Sequence, residues 1–324
     1  MKLGDIGEFG LIEEIKKTQK KFSEMNFTGI GDDCAIFPSK EGFSYVVTTD
    51  MLVEGKHFLI DKINPKDLGY KSLAVSVSDV ASMGAKAMFS FLSISINKNT
   101  STQWINDFLT GYNSMNIPLL GGDTCSGEEG NMCINVTVIG ECENTNIKYR
   151  SSAKVGDIVA VTSPLGASAT GLQAILKNLP NYDESIKAHV HPYIFEKESV
   201  WLGTKNEVHA MMDISDGVSS DLRHICKQSK CGAVINIDDI LTTQETKTLC
   251  NNLNINSQEL ALSGGEDYAL LLTISSDAFN KINKEYKALF NSELYSIGTI
   301  NSDNKITYLS ENKVTDINRG FTHF

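Results

Sequence analysis

The 324-residue chain contains no Gly-x-x-x-x-Gly-Lys-Ser/Thr loop, no Cys-x-x-Cys pair, no basic run and no long apolar stretch. Each absence removes a class of function. Without a lysine-bearing phosphate loop, any phosphate chemistry must take most of its positive charge from metal ions. The cysteines (Cys34, Cys125, Cys133, Cys142, Cys226, Cys231 and Cys250) are odd in number and carry no zinc-type spacing. That pattern argues against a zinc site or a disulfide framework and for reduced, structural thiols. A formal charge of −11 argues against nucleic acid as a partner, since binding a phosphate backbone needs a strongly basic surface. The apolar runs are strand-sized, far below the roughly 20 residues of a membrane span. Met1-Lys2-Leu3-Gly4-Asp5 opens a charged, amphipathic segment rather than the apolar core of a leader. The expectation is a cytoplasmic protein with no membrane partner.

What is present suits globular cores, with hydrophobic residues at 41% and charged ones at 21%. The length implies two domains of about 150 residues each. Residues 45–49 read as a short strand ending at Asp50, which would put that carboxylate at the strand's exit. Asn64-Pro65 marks a helix start, and Leu68, Leu73, Val77, Val80 and Ala81 share a face up to the stop at Gly84. Asp79 therefore falls inside a mostly apolar helix. Further strands are expected over 88–96, 134–139, 158–162, 233–237, 269–274 and 294–300, with helices after Ser101, Gly166, Gly217 and Asp277. A polar stretch at residues 141–146 places the boundary, giving domains 1–146 and 147–324.

Five short acidic motifs punctuate this alternation: Gly29-Ile30-Gly31-Asp32-Asp33, Thr48-Thr49-Asp50, Ser78-Asp79, Gly121-Gly122-Asp123 and Asp213-Ile214-Ser215-Asp216-Gly217. Hard divalent cations prefer carboxylate oxygens, and flanking glycines let backbone and ligand approach closely. Any one motif alone fits ordinary turn or cap chemistry. As a set, with carboxylates at element ends or in an apolar helix, they point to a metal cluster, because burying unpaired carboxylates is costly. His57, alone, reads more readily as a surface or satisfied residue than as a ligand contact. Glu266, in Ser263-Gly264-Gly265-Glu266-Asp267-Tyr268, has the stronger claim, since two glycines clear space beside it.

In their order along the chain these motifs resemble the thiamine-monophosphate kinase family. So do Val53-Glu54-Gly55-Lys56-His57-Phe58, Ala81-Ser82-Met83-Gly84-Ala85, Arg150-Ser151-Ser152-Ala153-Lys154-Val155-Gly156-Asp157 and the terminal Gly320-Phe321-Thr322-His323-Phe324. The resemblance spans essentially the whole chain. It implies an α/β (α+β) fold of two domains, akin to aminoimidazole ribonucleotide synthetase and selenophosphate synthetase. The N-terminal domain (1–146) would bind metal and ATP and pair its mixed sheet into a barrel-like homodimer. The C-terminal α/β domain (147–324) would bind substrate, with the site in the interdomain cleft.

The resemblance also implies roles. Asp33, Thr48, Thr49, Asp50, Asp79, Asp123, Asp213 and Asp216 would hold several Mg²⁺ ions, and Asp50, Asp79, Asp123, Asp213 and Asp216 would be catalytic. Gly122, Asp123, Arg150 and Ser215 would contact the co-substrate ATP, and His57, Glu266 and Phe321 the thiamine monophosphate. The reaction would be the last step of thiamine diphosphate synthesis. Its acceptor is a phosphate oxygen already ionised near neutral pH, so direct in-line transfer without a general base is expected. Two other readings share the acidic set: an ATP-dependent cyclase or selenophosphate synthetase, and a non-catalytic nucleotide- or metal-binding protein. The second of these enzymes expects a reactive Cys near the N-terminus, and residues 1–31 contain none.

Overall fold

In this computed structural model, residues 3–18, 27–311 and 313–315 are described. After α1 (Leu3–Thr18), strands β1 (Ala35–Pro38) and β2 (Phe43–Val53) form a hairpin. Asp50 lies inside β2, not at its exit as the short β-rich run suggested. The reason is pairing: β5 (Cys133–Glu143) supplies an antiparallel partner for every β2 residue from Phe43 to Val53. Strand alternation then turns Ser44, Val46, Thr48 and Leu52 inward and Thr49 and Met51 outward.

With β3 (Lys86–Asn97) and β4 (Leu119–Gly127) these strands make a mixed sheet in the order β1-β2-β5-β3-β4, of which only β3 and β4 run parallel. Helix α2 (Pro65–Ser82) packs against its inner face. Its start follows the expected chemistry: the Asn64 side chain accepts from the Asp67 amide at 2.8 Å, and Pro65 fills the first turn. Helix α3 (Thr102–Tyr112), capped by Ser101 on the Trp104 amide at 3.1 Å, crosses α2 through paired glycines. A Cβ on Gly69 would come within 1.9 Å of the Phe108 carbonyl oxygen, and one on Gly111 within 1.7 Å of that of Lys66.

Helix α2 is buried on nearly all sides because the second half of the chain covers what the first sheet leaves open. Its polar residues survive burial by pairing: Ser72 with the Leu68 carbonyl, Ser82 with that of Asp79, and Ser78 with Asp213 across the two halves. That second half comprises β6 (Ile158–Val161), α4 (Ala167–Lys177), α5 (Asp183–Val190), α6 (Glu196–Gly203), β7 (Val208–Asp213), α7 (Val218–Ser229) and β8 (Gly232–Asn236). It continues through α8 (Gln244–Leu253), α9 (Ser257–Ser263), β9 (Leu270–Ile274), α10 (Ser276–Phe290), β10 (Tyr295–Asn301), β11 (Ile306–Ser310) and β12 (Lys313–Thr315). The seven strands follow the order β12-β11-β8-β10-β6-β9-β7, again mixed, with only β8 and β11 parallel. Among the described residues, no helix is long and apolar enough to cross a membrane.

Candidate active site

Helix α2 joins the two halves of the chain, through α6 and β7 among others, and an acidic cluster lies beside it. Asp33, in the loop before β1, Asp79, from α2, and Asp213, closing β7, each offer a carboxylate oxygen within 4.8 Å of the others'. Thr48 Oγ1 donates to Asp79 at 2.5 Å, and Ser78 Oγ donates to Asp213 at 2.6 Å. One buried oxygen of each of Asp33 and Asp50, Oδ2, accepts no hydrogen bond. Burial, then the charges of Asp50, Asp213 and Asp33, push the Asp79 carboxyl far up. Asp213 is pushed up to about 7 by burial and next by Asp33; Asp50 also rises, through burial first. Such a set is unfavourable until a cation arrives, and its all-oxygen donors fit a hard divalent ion.

Asp216 lines the same cavity, of about 840 Å³, as Asp50, Asp79, Asp213 and Ser215. Its amide donates to Asp221 at 3.3 Å. Asp221, fully buried and pushed well up by burial and then Asp216, escaped the sequence reading because it looks like a routine first-turn acid of α7. Arg150 sits against the cluster, its guanidinium paired with Asp33 and 3.5 Å from Asp32. Asp32 is itself raised to about 7, by burial and then Asp33.

Within one chain, Thr49 and Asp123 do not join this group. Thr49 points to the outer face of β2, where it accepts from Asn135 at 3.1 Å and Thr137 at 3.0 Å. Register sets Asp123 beside Ser93, Ser93 opposite Asn135 and Asn135 opposite Met51. Asp123 is thus three strands from β2, about 14 Å away at sheet spacing. Gly122 has a local reason to be glycine: a Cβ would lie 1.7 Å from the Leu92 carbonyl oxygen. Phe321 lies outside the described residues.

A second pocket, of about 220 Å³, adjoins the cavity: His57, His189 and Glu266 line both, and Lys71 lines the second together with apolar walls such as Phe58, Ile63 and Leu172. His57 Nδ1 accepts from the Val53 amide at 3.0 Å, which fixes the turn after β2. Glu266 has a left-handed backbone (φ 64°), and its amide donates to the Ser215 carbonyl at 2.7 Å. Asp267 accepts from the Gly166 and Ser168 amides at 2.7 and 3.2 Å, anchoring the segment to the start of α4. The Glu266 carboxylate lies 3.1 Å from Lys71 Nζ and 3.4 Å from His189 Nδ1. Burial would raise its pKa; Lys71, then His189 and His57, bring it below the ordinary value. His189 is driven down to about 4 by burial and then Lys71. Lys71 carried the same signal as Asp79, a charge inside an apolar helix; His189 carried none.

Two mixed sheets with an aspartate cluster between helix α2, β7 and the loop before β1 accompany a match to AIR synthase related proteins: the N-terminal domain description matches residues 31–142 and the C-terminal one residues 154–309. More narrowly, the chain belongs to the thiamine-monophosphate kinase family. It is 39% identical to the thiamine-monophosphate kinase of Buchnera aphidicola subsp. Schizaphis graminum over 99% of each chain. It is 33% identical to that of Haemophilus influenzae over 98% of each. Among solved structures, AaThiL complexed with AMPPCP and TMP superimposes with a TM-score of 0.86 at 29% identity, covering 100% of this chain and 99% of that one.

Proposed function

We propose that the chain transfers the terminal phosphoryl group of ATP to thiamine monophosphate, giving thiamine diphosphate and ADP in the cytoplasm. The observation that carries the reading is the convergence of Asp33, Asp79 and Asp213 beside a pocket ending in Glu266. Domain 1–146 would hold metal and ATP and domain 147–324 the substrate, with the reaction in the cleft between them. Mg²⁺ held by Asp33, Thr48, Asp50, Asp79, Asp213 and Asp216 would neutralise the phosphates of both substrates. Arg150 would exchange its carboxylate partners for an ATP phosphate, and Ser215 would contact the nucleotide from the loop after β7. His57 and Glu266 would hold the thiamine end, with Phe321 completing that side. Transfer is direct and in line, because the acceptor oxygen needs no base and no side chain need be phosphorylated.

A homodimer would explain the residues that one chain leaves apart. Beyond Val47, the β2 edge away from β5 has no strand partner among the described residues, and β4 is the opposite edge strand. Met51 and Leu120 stand 56% and 57% exposed on these edges. Pairing the edges of two copies into a barrel would cover both and bring Asp123 of one protomer towards Thr49 of its partner. The test of function is direct: purified protein with ATP, Mg²⁺ and thiamine monophosphate forms thiamine diphosphate. Absence of product at saturating substrates would refute the assignment.

A further inference from the structure

We propose that Lys71 is a positioning residue for substrate recognition: it fixes Glu266 as an acceptor that selects the heterocycle by an amine N–H rather than by its ring charge. The inference rests on the thiamine-monophosphate reading above. Lys71 is 1% exposed within α2, and a buried ammonium persists only with a partner; its ion pair is Glu266. Glu266 is fixed from both ends. Its left-handed backbone is tied to Ser215, and its two carboxylate oxygens are aimed at Lys71 and His189.

Charge counting gives the selectivity. Lys71 cancels Glu266, and His189, held near 4, is neutral at physiological pH, so the Lys71–Glu266–His189 group at this end of the pocket carries no net charge. The thiazolium cation of the substrate gains little there, with an ammonium already at the carboxylate. A carboxylate has about four acceptor positions, of which Lys71 occupies one, while His189 Nδ1, hydrogen-bonded to Ser168 Oγ at 3.0 Å, stands 3.4 Å from the other oxygen. A fixed, ionised acceptor with room for another donor suits the exocyclic amine of the pyrimidine ring. Without Lys71 the carboxylate would be free to turn or take a proton, and that acceptor would be lost.

Steady-state kinetics of the full-length protein test this with thiamine monophosphate and with an analogue bearing hydrogen in place of the amine. Lys71→Met should raise KM for thiamine monophosphate about 10- to 100-fold, the loss of one hydrogen bond to a charged group, while KM for ATP and kcat stay near wild type. Lys71→Met/Glu266→Gln should be no worse than Glu266→Gln alone, because Lys71 acts through Glu266. Wild type and Lys71→Met should handle the amine-free analogue equally. Unchanged KM in Lys71→Met, additive losses in the double variant, or wild-type preference for the analogue would each overturn the proposal. If Lys71→Met does not fold, the comparison of the double variant with Glu266→Gln decides by the same criterion. A wild-type protein inactive on thiamine monophosphate would instead overturn the function itself, a distinct result.

Discussion

Asp213→Asn should make the metal-free protein more stable while abolishing its activity. The substitution keeps an oxygen for Ser78 Oγ to bond and removes one charge from a group crowded with carboxylates. Asp213 is held at about 7 against an ordinary 3.8. At about 1.36 kcal/mol per tenfold change in proton affinity, this represents roughly 4 kcal/mol of destabilisation above pH 7. The repulsion is shared with coupled neighbours, so about 2 kcal/mol should be recovered on substitution. For a chain of 324 residues that corresponds to a melting temperature about 3 °C higher in EDTA at pH 8. The sign follows from linkage: the folded state binds its proton more tightly than the unfolded state. The wild-type penalty is therefore full above pH 7, shrinks as pH falls, and closes near 4. The gap between variant and wild type should narrow accordingly, and Mg²⁺ with an ATP analogue should stabilise wild type far more than the variant. A variant that melts below wild type in EDTA at pH 8, or a gap indifferent to pH, would refute the account.

Asp50→Asn, which alters a buried and unpartnered oxygen, should lower kcat by about 100-fold or more with an unchanged circular-dichroism spectrum; turnover retained at ordinary Mg²⁺ would remove Asp50 from the ion-binding set. Gly69→Ala drives a methyl group into the Phe108 carbonyl and should cost about 3 kcal/mol or more in urea unfolding. An unchanged midpoint would mean the α2–α3 crossing yields easily. Leu120→Glu, on the exposed edge strand, should halve the mass seen by sedimentation; a dimer that persists would place the interface elsewhere.

Much of this was legible from residue order because the strongest local signals survive folding. Asn64-Pro65 and Ser101 cap the helices they were expected to cap, and the strands at 158–162, 269–274 and 294–300 are found within two residues. Strand β7 was missed because Val208-His209-Ala210-Met211-Met212 has little β-branched character and pairs only with β9. The acidic motifs were visible as a set, but not the faces on which they land. Whether Thr49 or Thr48 turns towards Asp79 depends on the register with β5, and Asp123's distance depends on three successive pairings. Lys71 and His189 meet Glu266 only through tertiary packing, from positions 195 and 77 residues away.

Helix α2 bears Asp79 in the aspartate cluster and Lys71 beside Glu266, the two ends proposed above for metal and heterocycle. Eight residues of α-helix separate them by about 12 Å along a rod clamped by both halves of the chain. In the proposed reaction the helix would act as a molecular gauge. A ligand must span that fixed length to set its ring against Glu266 and its phosphate among the aspartates together. On the proposed reading, molecules with a shorter or longer tether would satisfy one end at the expense of the other, and a single element of backbone would set the length of substrate that fits.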